Sequence, residues 1–133
     1  LRLVGACHGG PDRKYTHADT RVTVVAPDHP VTRGIDDFQL EDEYYYRLKR
    51  AKQGKVIPLL TAEIEDRPEM CAWAFERPDG GRSFGFVGMH THANWGKPEC
   101  RRLIAQGVLW TLKLPVPAEG LPVAVAEGDL KLE

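Results

Sequence analysis

Ser83-Phe84-Gly85-Phe86-Val87-Gly88-Met89-His90-Thr91-His92-Ala93-Asn94-Trp95 changes character halfway along, and its reading decides the fold. Ser83 to Val87 reads as a short buried strand: aromatic and β-branched side chains flank Gly85, and the turn Pro78-Asp79-Gly80-Gly81 precedes it. Gly88 allows a tight exit. His90, Thr91, His92, Asn94 and Trp95 then crowd together just before Pro98 and Glu99, which suit the opening of a helix. A strand, a polar loop and a helix in that order predict an α/β domain in which ligands bind beyond the carboxyl ends of the strands. The junction is the expected functional centre.

Working outward, Met70 to Glu76 reads as a strong strand that pairs with Arg82 to Gly88 as a hairpin through Asp79-Gly80-Gly81. Lys55 to Glu63 reads as a strand in which Pro58 demands an edge position or a bulge. Thr20 to Ala26 is β-branched and alternating, and Pro27-Asp28-His29-Pro30 stops it at a fixed corner. Residues 5–19, rich in Gly, Pro and charge, read as a long loop, and Glu41 to Arg47 as an extended segment or a short helix. From Pro98 to Lys113 the apolar residues Leu103, Ile104, Val108 and Leu112 recur at helical spacing, with Gly107 on or beside that face for close packing. Residues 115–133 alternate proline with small apolar residues and read as an extended strap or linker.

The 133 residues suit one small domain, and 42% apolar content is enough for a real core. A net charge of -1 with scattered Lys and Arg predicts no nucleic-acid partner. No apolar run approaches the ~20 residues of a membrane span, so no membrane association is expected. Cys7, Cys71 and Cys100 lie far apart without metal-type spacing, read as free thiols, and leave the compartment open.

His90 and His92 are two apart, so on extended backbone both point to one side and could hold one metal ion or one substrate oxygen. With Glu43 or His29 as third ligand they would form a divalent metal site with an open position; the alternative is a helix cap and a backbone hydrogen bond. Asn94 is a candidate N-cap as much as a ligand-binding group, and Trp95 a lid over the core as much as an apolar face for a substrate. Glu41-Asp42-Glu43 beside Tyr44-Tyr45-Tyr46 puts carboxylates among phenols. Partial burial there would raise a carboxylate's pKa and fit it for acid/base work, whereas a solvated acidic edge would leave it inert. Gly5-Ala6-Cys7-His8-Gly9 mimics a nucleophile elbow, with His90 as base, but no helical pattern follows it.

The ordered set His29-Pro30-Val31-Thr32-Arg33-Gly34, Asp42-Glu43-Tyr44-Tyr45, Ile57-Pro58-Leu59-Leu60, Ala72-Trp73-Ala74, Gly88-Met89-His90-Thr91-His92-Ala93-Asn94-Trp95 and Gly107-Val108-Leu109-Trp110 resembles the trehalose-utilisation (ThuA-like) family over nearly the whole chain. The resemblance implies an α/β fold of the flavodoxin or class I glutamine amidotransferase type: an open, largely parallel sheet with flanking helices, plus the hairpin. It implies a bacterial protein, cytoplasmic, secreted or periplasmic, that processes trehalose, related disaccharides or their 3-keto forms, alone, as a homo-oligomer, or with a fused or associated sugar oxidoreductase. Carried over by position, Glu43 and His90 are the expected catalytic residues, and His29, His92, Asn94 and Trp95 the expected substrate-binding ones. Domains of that family are longer at the amino end, so residues 1–114 are expected to be a carboxyl-terminal portion whose sheet another segment or chain completes. Two other readings stand beside this one: a non-catalytic carbohydrate-binding or interaction domain, and a Cys7-dependent amidotransferase or hydrolase.

Overall fold

The computed structural model describes residues 1–126 and 128–131. Its main body is a five-stranded sheet built from β2 (Lys14–Val24), β3 (Phe38–Tyr46), β5 (Lys55–Ile64), β6 (Arg67–Glu76) and β7 (Arg82–Phe86). The order across the sheet is β3-β2-β5-β6-β7, and every neighbouring pair is antiparallel. Two short strands, β1 (Ala6–Cys7) and β4 (Lys49–Arg50), form a separate antiparallel ribbon. One α-helix, α1 (Pro98–Thr111), and two 3-10 turns, Pro30–Thr32 and His92–Gly96, complete the regular structure among the described residues.

This overturns the expected parallel α/β sheet. Parallel neighbours need crossovers of a dozen or more residues, usually helical. Here β5 and β6 are joined by two residues, Glu65 and Asp66, both at positive φ (51° and 58°), and β6 and β7 by a tight turn in which Arg77 N donates to Gly81 O. Such connections permit only antiparallel pairing. The sheet curls into a half-barrel, so β3 at one edge also packs across onto β6.

The main core joins Val22, Leu40, Tyr44, Leu59, Leu60 and Ala72 of the sheet to Leu103 of α1, all fully buried. β2 begins six residues earlier than expected: within the supposed loop, Thr16 and Ala18 alternate with the exposed Tyr15, His17 and Asp19. The hairpin of β6 and β7 forms with Glu76 opposite Arg82. Pro58 lies in an interior strand beside a register shift, so the bulge is realised and the edge position is not.

Helix α1 buries Cys100, Leu103, Gln106, Gly107 and Trp110. The face differs from the expected one, since Val108 and Leu112 are 51% and 63% exposed. Gly107 marks the true contact, because a Cβ there would meet the Phe84 ring of β7 at 2.5 Å. Gln106, fully buried, donates from Nε2 to Val31 O (2.8 Å) and Arg33 O (3.1 Å) and accepts from Leu121 N (2.8 Å). It thereby ties the 3-10 corner and the segment after the helix to one point. Arg101 and Arg102 donate to Val123 O and Leu121 O, so that segment runs along α1 without regular structure. Residues 127, 132 and 133 of the expected strap lie outside the described residues. No helix among the described residues is long and apolar enough to cross a membrane.

Candidate functional site

Side chains on alternate positions of paired strands share a face, and Glu43 of β3 stands opposite His17 of β2, with Tyr45 opposite Tyr15. The His17 imidazole reaches across with Nε2 3.2 Å from Glu43 Oε2. From the other side His90 brings Nδ1 to 3.6 Å from Glu43 Oε1. The two imidazoles meet edge to face at 5.8 Å between centroids. One ligand atom from each of His17, Glu43 and His90 lies within 4.8 Å of the others.

His90 is placed by a neighbour of Glu43. The Asp42 side chain is buried, and its Oδ1 accepts from Thr91 N (3.1 Å) and Glu43 N (2.9 Å) while its Oδ2 accepts from Met89 N. The carboxylate thus grips the amides on both sides of His90. Met89 holds φ at 78°, a conformation a non-glycine residue keeps only when its surroundings impose it. Asn94, also buried, donates from Nδ2 to Glu41 O (2.9 Å) and fixes the following 3-10 turn to the same strand.

Glu43 does not have the raised pKa expected of it. The Tyr45 hydroxyl beside it and the imidazoles of His90 and His17 stabilise the carboxylate and outweigh the burial that favours the neutral acid, so its pKa lies below the ordinary glutamate value. Reciprocally, Tyr45 is held above the usual phenol value, chiefly by the same carboxylate. An ionised Glu43 can accept and orient protons but is a poor acid.

Next to this cluster a groove of about 400 Å³ is lined by His8, Tyr45, Phe86, Val87, Gly88, Met89 and His90. Tyr45 and His90 belong both to the groove and to the immediate surroundings of Glu43.

Of the residues singled out in the sequence, Glu43 and His90 come together, Glu43 from within β3 and His90 from the loop between β7 and α1. His92 begins the 3-10 turn, and its Nε2 lies 3.1 Å from Leu130 O rather than at Glu43. His29 accepts from Val31 N at Nδ1 (3.2 Å), packs on Trp110 at 5.1 Å, and is pushed below the usual histidine pKa by burial. It serves the corner at the end of α1. Asn94 caps neither helix end but crosslinks its turn to β3, and Trp95 offers its carbonyl to Arg101. Cys7 sits in the two-residue β1, and β2 rather than a helix follows, so the elbow geometry is absent. His17 and Asp42 were missed: the first stood in a presumed loop, and the second was grouped with its acidic neighbours.

The family model described as ThuA, trehalose utilisation, matches residues 1–111. No curated protein and no solved structure matches the chain.

Proposed function

We propose, for a chain that belongs to the trehalose-utilisation (ThuA) family, that Glu43 and His90 form a proton-transfer centre acting on a disaccharide seated in the adjoining groove. Family membership gives the chain a role in trehalose utilisation; the chemistry is our reading. The observation that carries it is the single carboxylate, ionised and nearly buried, set between two imidazoles at the mouth of a groove.

In this reading Glu43 orients His90 through Nδ1, and the other ring nitrogen takes a proton from a sugar hydroxyl or from the carbon beside a 3-keto carbonyl. A length of 3.6 Å is long for a hydrogen bond, as such contacts commonly are before substrate binds. His17 holds the opposite oxygen of Glu43 and keeps the carboxylate aligned. Positioned acid/base groups contribute about 10²–10⁴-fold in rate. Product analysis by NMR after incubation with trehalose and with 3-keto disaccharides tests this. His90→Ala and Glu43→Gln should each lower turnover by about 10²-fold or more. Binding without product would favour a non-catalytic carbohydrate-binding domain, and undiminished rates in both variants would remove the centre.

The donor set supports a second reading. Two imidazole nitrogens and one carboxylate oxygen form the protein ligand set of catalytic zinc sites, in which water or substrate takes the fourth position. His17 would replace His92 in the ligand set expected from sequence. Titration calorimetry with Zn²⁺ on the protein and on His17→Ala decides whether the cluster holds a cation or only protons.

A further inference from the structure

Two aromatic rings continue the site along the sheet. Tyr45 lies two residues beyond Glu43 in β3, and Tyr15 lies two residues before His17 in β2, on the same face and directly opposite each other. At about 3.4 Å per residue, the tyrosine pair stands about 7 Å along the strands from the His17–Glu43 pair. The Tyr15 and Tyr45 centroids are 6.1 Å apart, and His8 packs against Tyr45 at 4.9 Å with the ring planes tilted by 57°. The three rings make a ledge that leads from the groove into solvent.

Tyr15 is 65% exposed, and its hydroxyl has no hydrogen-bond partner among the described residues. His8 carries an anomaly: its Nε2 is buried without a hydrogen-bond partner, although buried polar atoms are almost always satisfied.

We infer that Tyr45, Tyr15 and His8 form a subsite for the second ring of a disaccharide, the ring that is not the object of proton transfer. A pyranose presents a face of C–H groups that packs on an aromatic ring and a rim of hydroxyls for hydrogen bonding. Tyr15 and Tyr45 supply the first kind of surface, and His8 with the Tyr45 hydroxyl supplies the second. The groove's volume of about 400 Å³ lies at the lower end of the range for small-molecule sites, about 300–1,000 Å³. Tyr15 stands outside the groove lining, exposed and across the strand pair from Tyr45, where it would meet a second ring that extends beyond the groove. The inference rests on the proposed disaccharide reading and adds to it that affinity for a disaccharide over a monosaccharide resides in Tyr15.

The test is calorimetric binding of trehalose and of glucose to the parent protein, Tyr15→Ala and Tyr15→Phe. Tyr15 is exposed, so its replacement leaves the core untouched. Tyr15→Ala should weaken trehalose binding on the order of tenfold and leave glucose binding unchanged, while Tyr15→Phe should bind both like the parent. If the parent binds trehalose and Tyr15→Ala binds it equally well, the subsite is overturned and the proton-transfer reading stands. If the parent binds neither sugar, both fall. Parallel weakening for trehalose and glucose would also overturn the assignment, since the ring would then serve the first sugar and not the second.

Discussion

Asp42 and Glu43 are neighbours in β3 whose side chains leave the strand on opposite faces, yet both end on the same loop: Asp42 on the amides of Met89 and Thr91, Glu43 on the His90 ring between them. One carboxylate sets the loop and the other uses what the loop presents. Asp42→Asn keeps the size but sets an amide NH₂ against N–H donors. Hydrogen bonds to a charged acceptor contribute about 1.5–3 kcal/mol each, and a buried donor left unpaired costs a further amount of similar size. The variant should therefore lose about 2–4 kcal/mol in urea unfolding and lose turnover as well. Glu43→Gln, by contrast, should lose turnover with a smaller change in stability. Equal urea midpoints for the Asp42 variant and the parent would show that the clamp does not hold the loop.

The ionisation of Glu43 has a direction that can be measured. Because its folded-state pKa is depressed, it contributes stability that is fully present above the ordinary glutamate pKa of about 4.3 and is lost as the pH falls through the lower folded value. A titration of the Glu43 side-chain carboxyl carbon by NMR should place its midpoint below that of an unstructured glutamate. Tyr45→Phe removes the largest stabilising contact and should move the midpoint up. A midpoint above the ordinary value in the parent would reinstate a general acid and refute the orienting role.

At Gly107 two effects of opposite sign compete. Alanine is favoured over glycine by about 1 kcal/mol in a helix interior. The new Cβ, however, would stand 2.5 Å from Phe84, which is packed against the core and cannot swing away freely. Overpacking of this kind costs about 1–3 kcal/mol, so Gly107→Ala should lower the thermal midpoint rather than raise it. A stabilised variant would mean that α1 can slide on β7.

The hairpin of β6 and β7, the helix opening at Pro98 and the close approach at Gly107 were legible because each depends on local chemistry: a glycine turn, a fixed φ and a missing Cβ. Strand direction was not. Whether neighbours run parallel depends on the connections, and the decisive one, Glu65-Asp66, has neither the glycine nor the asparagine that marks such a turn. The pairing of Glu43 with His90 could be guessed, but not His17, because its role depends on a register that places it opposite Glu43 across two strands. His92 departs from the expected geometry for a related reason. The two-residue spacing puts both rings on one side only while the backbone stays extended, and the chain enters a 3-10 turn at His92.

That same unmarked turn yields the last prediction. Glu65 and Asp66 both hold left-handed backbone angles, which cost an L-residue roughly 1–2 kcal/mol each relative to the right-handed region. Glu65 offsets its share, since its carboxylate takes hydrogen bonds from Lys14, Tyr46 and Arg47 and gathers three elements at the hairpin end. Asp66 is exposed and has no such partner among the described residues. Glycine at position 66 removes the steric cost, and the entropy it adds to the unfolded chain, about 0.5–1 kcal/mol, offsets only part of that gain. Asp66→Gly should therefore raise unfolding stability by up to about 1 kcal/mol. Glu65→Gly should lower it, because the gain in backbone freedom there is outweighed by the loss of the three contacts. Chemical unfolding of both variants settles the comparison: if both shift in the same direction, backbone strain and side-chain anchoring do not divide between the two residues as the hairpin geometry requires.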